Sequence, residues 1–481
     1  MGRGTTRRVV EGYKARPRHL PLHHASHVPP PHAFGVGRQD IDRAVSSDPA
    51  VQRQLDRLAA LSPGADILGL ERISTLLARL GNPERRLPPV FHVAGTNGKG
   101  STCAFLRAAV EAAGLTAHVY TSPHLVRFNE RIRLAGKLID DALLASLLEE
   151  ALDAAAGMEI SFFEATTAAA FLAFSRRPAD ACIVEVGLGG RLDATNVIPA
   201  PAACGIAQLG LDHQQFLGGR IEGIAAEKAG IAKKGVPLVT QHYPERLAER
   251  IAAAAEAAGA QWLPRGGRWD AIVYRQRLHY RDDRGKLQLP LPRLPGAHQA
   301  MNAALAVAML RNQRVVPVRD PALRAAMGWA DWPGRLQRLA AGPLAAGLPP
   351  GSELWLDGGH NPAAARAVAD FFRGHVPSGR PFHIVLGLLA NKDMPGVLKP
   401  FANRAATLHA VPVPGHPHHG PGELAAAARG AGLSSLAADN VEAALGWIAR
   451  HADRDRPPIV LVMGSLYLAG EVLRANGQVP A

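Results

Sequence analysis

Val93-Ala-Gly95-Thr-Asn-Gly98-Lys99-Gly100-Ser101 follows the apolar run Val90–Ala94 and opens a helical stretch, Ser101–Ala113. A glycine-rich turn between a buried-type strand and a helix is the setting that a phosphate loop requires. Glycines let backbone N–H groups turn inward, and a helix N-terminus favours negative charge. Lys99 stands where an ammonium reaches β- and γ-phosphates, and Ser101 where a hydroxyl ligates Mg²⁺. The spacing departs from the common G-x-x-x-x-G-K-[ST], because Gly100 separates Lys99 from Ser101. A ligand-free β–α turn is the plainer alternative. The strand before, the helix after and the lysine inside favour the phosphate loop.

Working outward, strand-like runs at Ala117–Tyr120, Ala181–Val186, Ala203–Ala207 and Pro237–Thr240 alternate with helical stretches at Leu143–Ala155 and Glu245–Ala258. That alternation predicts an α/β fold with a mostly parallel sheet. Trp329-Ala-Asp-Trp-Pro-Gly-Arg335 interrupts it and reads as a domain junction. The pattern then restarts with strands at Glu353–Leu356, Phe382–Leu386, Thr407–Val411 and Ile459–Met463, predicting a second, smaller α/β domain. Val51, Leu55 and Leu58 share one helix face, so ordered sequence is expected to begin near Val51. Residues 1–48 lack any such period and carry Pro29–Pro31; they are expected to form a disordered basic extension.

Composition narrows the class. Hydrophobic residues at 47% and charged residues at 20% give the balance of a soluble globular protein. No apolar run approaches the roughly 20 residues of a spanning helix. Cys103, Cys182 and Cys204 have no paired spacing, which argues against disulfides or zinc and fits a cytoplasmic protein. The net charge of +13 suits polyanionic substrates; without basic runs or interleaved aromatics it does not point to nucleic acid.

The Gly-Thr-Asn-Gly-Lys-Gly-Ser form of the loop resembles the ATP loop of the Mur ligase superfamily. Other stretches narrow the resemblance to the folylpolyglutamate synthase family, including its bifunctional dihydrofolate synthase form. These are Leu68-Gly-Leu-Glu-Arg72, Thr121-Ser-Pro-His-Leu125, Phe128-Asn-Glu-Arg131, Glu185-Val-Gly-Leu-Gly-Gly-Arg-Leu-Asp-Ala-Thr-Asn196 and Leu211-Asp-His213. In the same order follow Glu227-Lys-Ala-Gly230, Pro295-Gly-Ala-His-Gln299 with Asn302, Pro333-Gly-Arg335, Leu356-Asp-Gly-Gly-His-Asn-Pro362 and Met463-Gly-Ser465. The resemblance implies a Mur-ligase-like P-loop ATPase domain over 49–332 and a Rossmann-like glutamate-ligase domain over 333–481. It implies an ATP-dependent ligase that adds L-glutamate to dihydropteroate and to the γ-carboxylate of tetrahydrofolate through an acyl phosphate. Ligases of the cell-wall branch carry a further N-terminal domain, for which little sequence remains before Gly95. A non-catalytic phosphate-loop protein would not need Glu185, His213 and Lys228 together.

The same resemblance assigns site residues. Ser101, Ser122, Glu185 and His213 would ligate Mg²⁺, with two ions expected and Mn²⁺ accommodated. Lys99, His213 and Lys228 would serve catalysis, Lys228 as a carbamylated metal-holding side chain. Nucleotide contacts would be Asn97, Gly98, Lys99, Gly100, Ser101, Asn302, Arg335, Asp357 and His360. The acceptor pocket would use Asp66, Ile67 and Leu68, then Ser161, Phe162, Phe163 and Glu164, then Leu192, Asp193 and Ala194. Taken singly, Glu185 reads as a surface carboxylate, Lys228 as a solvated helical lysine, the Phe pair as core and Arg335 as an interdomain ion pair. Gly415-His-Pro-His-His-Gly420 replaces the Pro-Arg pair of relatives and is expected to be a mobile loop rather than a metal cluster. Partners are expected to be small molecules alone (dihydropteroate, tetrahydrofolate polyglutamates and L-glutamate), acting on a monomer with no nucleic acid and no membrane.

Overall fold

Continuous apolar runs, buried on both faces, build the central strands, as parallel sheets covered by helices require. The computed structural model describes residues 46–61, 68–402 and 404–480. Most of the basic extension therefore lies outside the described residues, as do Asp66 and Ile67 of the expected acceptor pocket.

Among the described residues three sheets form. The first takes β1 (Val90–Ala94), β2 (Ala117–Tyr120), β3 (Ile132–Leu134), β4 (Lys137–Leu138), β5 (Ala181–Glu185), β6 (Ala203–Ile206), β7 (Pro237–Thr240) and β8 (Gln261–Pro264). Its order is β4-β3-β2-β5-β1-β6-β7-β8, parallel except for the β3–β4 edge. The second sheet is a small antiparallel one of β9 (Trp269–Tyr274), β10 (Arg277–Asp282) and β11 (Gly285–Pro290), which the sequence reading did not foresee. The third takes β12 (Gln337–Arg338), β13 (Glu353–Asp357), β14 (Phe382–Leu386), β15 (Thr407–Ala410), β16 (Ser435–Ala437) and β17 (Ile459–Met463). Its order is β12-β13-β17-β14-β15-β16, parallel except for β12.

Helices cover both faces of the first sheet. Lys99–Ala112 and Ala297–Arg311 bury Phe105, Leu106, Leu305 and Met309 against one side, with Phe91 and Ile183 in the same core. Pro49–Leu61, Asp141–Ala154 and Phe162–Arg176 bury Leu55, Leu148 and Phe171 against the other, around Tyr120 and Val184. Val51, Leu55 and Leu58 do share one buried helix face. The third sheet is likewise sandwiched, with Phe372 and Leu424 on one face and Leu445 and Leu468 on the other. No described helix is long and apolar enough to cross a membrane.

In open parallel sheets, ligand crevices form beyond the carboxyl ends of the strands. Here β1 leads into the phosphate loop, β5 ends on Glu185, β13 ends on Asp357 and β17 leads to Ser465.

Candidate active site

The phosphate loop is shaped from both sides. Thr96 and Asn97 donate their N–H groups to the Gln208 carbonyl at 2.8 and 3.2 Å, pinning the loop to the segment after β6. Gly98 caps the helix Lys99–Ala112 with φ 84°, a left-handed conformation that favours glycine, and the Asn302 amide fills the space a Cβ would need. Asn302 is in turn held by Gln299, accepting its Nδ2 at 3.1 Å. Ser101 is buried in the first turn. Lys99 Nζ donates to the Thr96 carbonyl at 3.4 Å and stands 4.0 Å from Glu185 Oε1.

Strand pairing sets Glu185 beside Val93, at the mouth of the loop. It is buried, not the surface carboxylate that its position at a strand end suggests. Burial pushes its carboxyl up, and Lys99, the Ser122 N–H at 3.3 Å and the Arg335 charge oppose that shift. His213 takes φ 50° at the start of the short helix Gln214–Leu217. Burial drives its imidazole down to about 3, against the pull of Asp212, and Lys392, Lys99 and His360 push the same way as burial. A neutral imidazole is the metal-binding form. Lys228, on the helix Ile221–Ala229, is 5% exposed. Burial, then the Lys99 charge, push its amine down to about 7, while Asp212, Asp193 and Glu227 oppose them. Its neighbour Glu227 turns to Arg191 at 2.7 Å, so the solvated-lysine alternative fails. Lys99 is thus the common electrostatic neighbour of Glu185, His213 and Lys228.

The donors fit a divalent cation of the Mg²⁺ kind. A buried, desolvated carboxylate gains from a nearby cation, and Mg²⁺ takes few protein oxygens, completing its shell with water and phosphate. No group of three or more His, Cys, Asp or Glu side chains among the described residues forms a ready-made cage.

The third sheet contributes Asp357, whose oxygens accept the N–H groups of Leu336 and Gly359 at 2.8 and 2.7 Å. Arg335 donates to the Gly334 carbonyl at 3.1 Å and makes no ion pair among the described residues. His360 bonds the Gly358 carbonyl at 3.0 Å and Asp212 Oδ2 at 3.2 Å. Asp212 is a hub that the sequence reading passed over. Its Oδ1 meets Lys392 Nζ at 2.6 Å, and its Oδ2 accepts from Asn361 at 3.2 Å. Asn361 exchanges two amide hydrogen bonds, 2.9 and 3.1 Å, with Asn97 of the phosphate loop. Burial alone would raise the Asp212 carboxyl, but His360, His213 and Lys392 hold it well below the usual carboxylate range. Asp212 and Asn361 sit inside motifs legible in sequence. Lys392 has no such signal, only its place in the loop after β14.

The expected acceptor residues are largely engaged in local structure. Ser161 and Glu164 form a capping box, Ser161 Oγ accepting Glu164 N–H at 3.2 Å and Glu164 Oε2 accepting Ser161 N–H at 2.7 Å. Glu164 also pairs with Arg72 at 3.1 Å. Phe162 packs edge-on to Phe128 under the Arg131 guanidinium, and Phe163 stacks on Tyr120. Both rings remain half-buried, so an exposed part of each is left for a ligand. Asp193 caps Thr195 and accepts the Leu188 N–H at 2.8 Å. Leu192 is half-buried, Ala194 packs into the core around Tyr120, and Leu68 is half-buried beside the undescribed Asp66 and Ile67. The His-rich loop is tied in place: His416 stacks on Tyr467 at 3.8 Å and His419 bonds the Lys392 carbonyl at 3.1 Å.

Residues 344–466 match the profile described as Mur ligase, glutamate ligase domain. The chain is 34% identical to folylpolyglutamate synthase of Lacticaseibacillus casei, over 83% of this chain and 92% of that protein. It is 36% identical to dihydrofolate synthase/folylpolyglutamate synthase of Escherichia coli (strain K12), over 84% and 90%. Among solved structures, E. coli FolC in complex with DHPP and ADP superposes with a TM-score of 0.79 at 33% identity, covering 89% of this chain and 97% of that one. A bifunctional folylpolyglutamate synthase/dihydrofolate synthase with Mn, AMPPNP and L-glutamate bound gives 0.77 at 33%, covering 88% and 97%.

Proposed function

This chain belongs to the dihydrofolate synthase/folylpolyglutamate synthase family, and from that premise we propose how its residues attach glutamate to a folate-type acid. A carboxylate is a poor electrophile. The acceptor carboxylate takes the γ-phosphoryl group of ATP, releasing ADP. The glutamate amine then attacks the acyl phosphate, an amide forms, and inorganic phosphate leaves. Dihydropteroate offers a benzoyl carboxylate and tetrahydrofolate a γ-carboxylate; both demand the same phosphoryl chemistry.

The single observation that carries this reading is the convergence of Glu185, His213 and Lys228 on Lys99 at a helix N-terminus. Lys99 and the N–H groups of Gly98–Ser101 bind the β- and γ-phosphates, with Asn302 holding the loop against them. Arg335 brings a guanidinium to the transferring group, while Asp357 keeps lone pairs for ribose hydroxyls and His360 borders the nucleotide. Glu185 and His213, with the hydroxyls of Ser101 and Ser122, would hold divalent cations, which neutralise charge on the phosphates. Two ions suit that donor set, Mg²⁺ first and Mn²⁺ also accommodated. A lysine amine near 7 is substantially neutral at physiological pH and adds CO₂ with release of a proton to solvent, so Lys228 becomes an anionic oxygen donor whose charge is felt with that of Lys99. We place the junction between the ATP-binding and glutamate-ligase domains at Trp332–Pro333. The acceptor ring is placed against Phe162 and Phe163, between Leu68 and Leu192–Ala194, with Glu164 and Asp193 fixing the walls.

The test is ADP release with dihydropteroate or tetrahydrofolate as acceptor, ATP, Mg²⁺ and labelled glutamate. Acceptor- and glutamate-dependent turnover is expected, and Lys99→Ala is expected to abolish it. Substantial turnover by that variant would remove Lys99 from its role.

A further inference from the structure

Gly100, the glycine that separates Lys99 from Ser101, has a neighbour that phosphate binding does not require. A Cβ at this position would stand 2.7 Å from Nε1, Cε2 and Cζ2 of Trp332, so the indole edge lies against the first turn of the helix. Trp332 is half-buried against the core layer of Lys99–Ala112 and Ala297–Arg311, whereas Trp329, three residues earlier, is 59% exposed. Just beyond Trp332 the chain is fastened to the third sheet. Gly358 N–H donates to the Gly334 carbonyl at 2.8 Å, Leu336 N–H to Asp357 Oδ2 at 2.8 Å, and Gly334 N–H to Gln337 Oε1 at 2.9 Å. Gly334 and Leu336 both take left-handed φ, 69° and 44°, and for leucine that conformation is costly unless its surroundings enforce it. Arg335 stands between the two anchors, and its charge is felt at Glu185, which lies 4.0 Å from Lys99. Residues 332–336 are therefore a short strut, one end on the phosphate-loop glycine and the other on the strand end that carries Asp357.

We propose that Trp332 is a positioning residue: by bearing on Gly100 it fixes the separation of Lys99 and Arg335, so that both cations meet the same transferring phosphoryl group. The proposal rests on the reading of the loop as the ATP site. Misplacing a catalytic group by about 1 Å costs roughly 10²-fold in rate. It also accounts for glycine at 100, since any side chain there would displace the indole.

A double-mutant cycle of Trp332→Ala and Arg335→Ala tests it, with ADP affinity, kcat and KM for glutamate as readouts. W332A is expected to bind ADP within about threefold of the unaltered enzyme, to keep KM for glutamate, and to lose roughly 10²-fold in kcat. W332A/R335A should be no slower than R335A alone, because the strut acts through the guanidinium. W332F keeps a ring against Gly100 and should recover most of kcat. Full kcat in W332A, or a tryptophan effect that simply multiplies with that of R335A, overturns the proposal. Should W332A not fold, W332L, which keeps apolar volume but removes the ring, decides in the same way: it must slow the unaltered enzyme more than it slows R335A. Absence of glutamate-dependent ADP release in the unaltered enzyme would instead refute the ligase reading itself.

Discussion

Lys228 follows Ala225 and Ile224 at helical spacing on the buried face of the helix Ile221–Ala229, and its burial changes what the side chain can do. Its amine sits near 7, far below 10.5, so the unfolded chain binds the extra proton between those values. Lys228 therefore opposes folding in full below about pH 7, and the opposition fades as pH rises toward 10.5. The neutral amine that adds CO₂ is populated above about 7 and lost below it. In ¹³C-bicarbonate a carbamate resonance is expected at about pH 8, fading as pH falls through 7, and missing from K228R. A spectrum with no such resonance at the higher pH would leave Lys228 an ordinary buried amine. Lys99, Glu185 and His213 were legible because motif context names them. Asp212 was hidden by its neighbour His213, and Lys392 lies in a loop whose residues carry no periodic or spacing signal.

Ser161-Phe-Phe-Glu164 shows one short stretch serving two purposes. It lines the acceptor pocket we propose, and its S-x-x-E spacing before an apolar run is also a helix-start signal. Ser161→Ala is expected to cost about 1 kcal/mol in urea unfolding. Glu164→Ala should cost more, because the reciprocal cap and the Arg72 pair go together. Equal stability in all three proteins would show that this cap does not hold the helix. Strands β1, β2 and β7 match their expected bounds, since continuous apolar runs mark doubly covered strands. The β9–β11 sheet escaped notice for a physical reason. Leu278 and Tyr280 alternate inward, but arginines flank them, and the turn at Arg275 and Gln276 reaches φ 47° and 55° without the usual Asn-Gly.

At the scale of the whole molecule, the two parallel sheets meet through charged and amide groups as well as apolar contacts. Asp212 and Lys392, each with a side chain 9% exposed, join the segment after β6 to the loop after β14. Removing one partner strands a buried charge, which costs about 3–5 kcal/mol in comparable pairs. Asp212→Asn and Lys392→Met are each expected to lower thermal stability markedly. The double variant should lose less than the sum, a coupling of about 0.5–3 kcal/mol. Strict additivity would show that the pair does not hold the layers together. Everything this assembly does follows from phosphorylating a carboxylate. Dihydropteroate carrying ¹⁸O in its carboxyl group tests that most directly, by mass analysis of the phosphate released when ATP, Mg²⁺ and glutamate are supplied. One ¹⁸O atom in each phosphate is the predicted result; amide product formed with unlabelled phosphate would contradict the account.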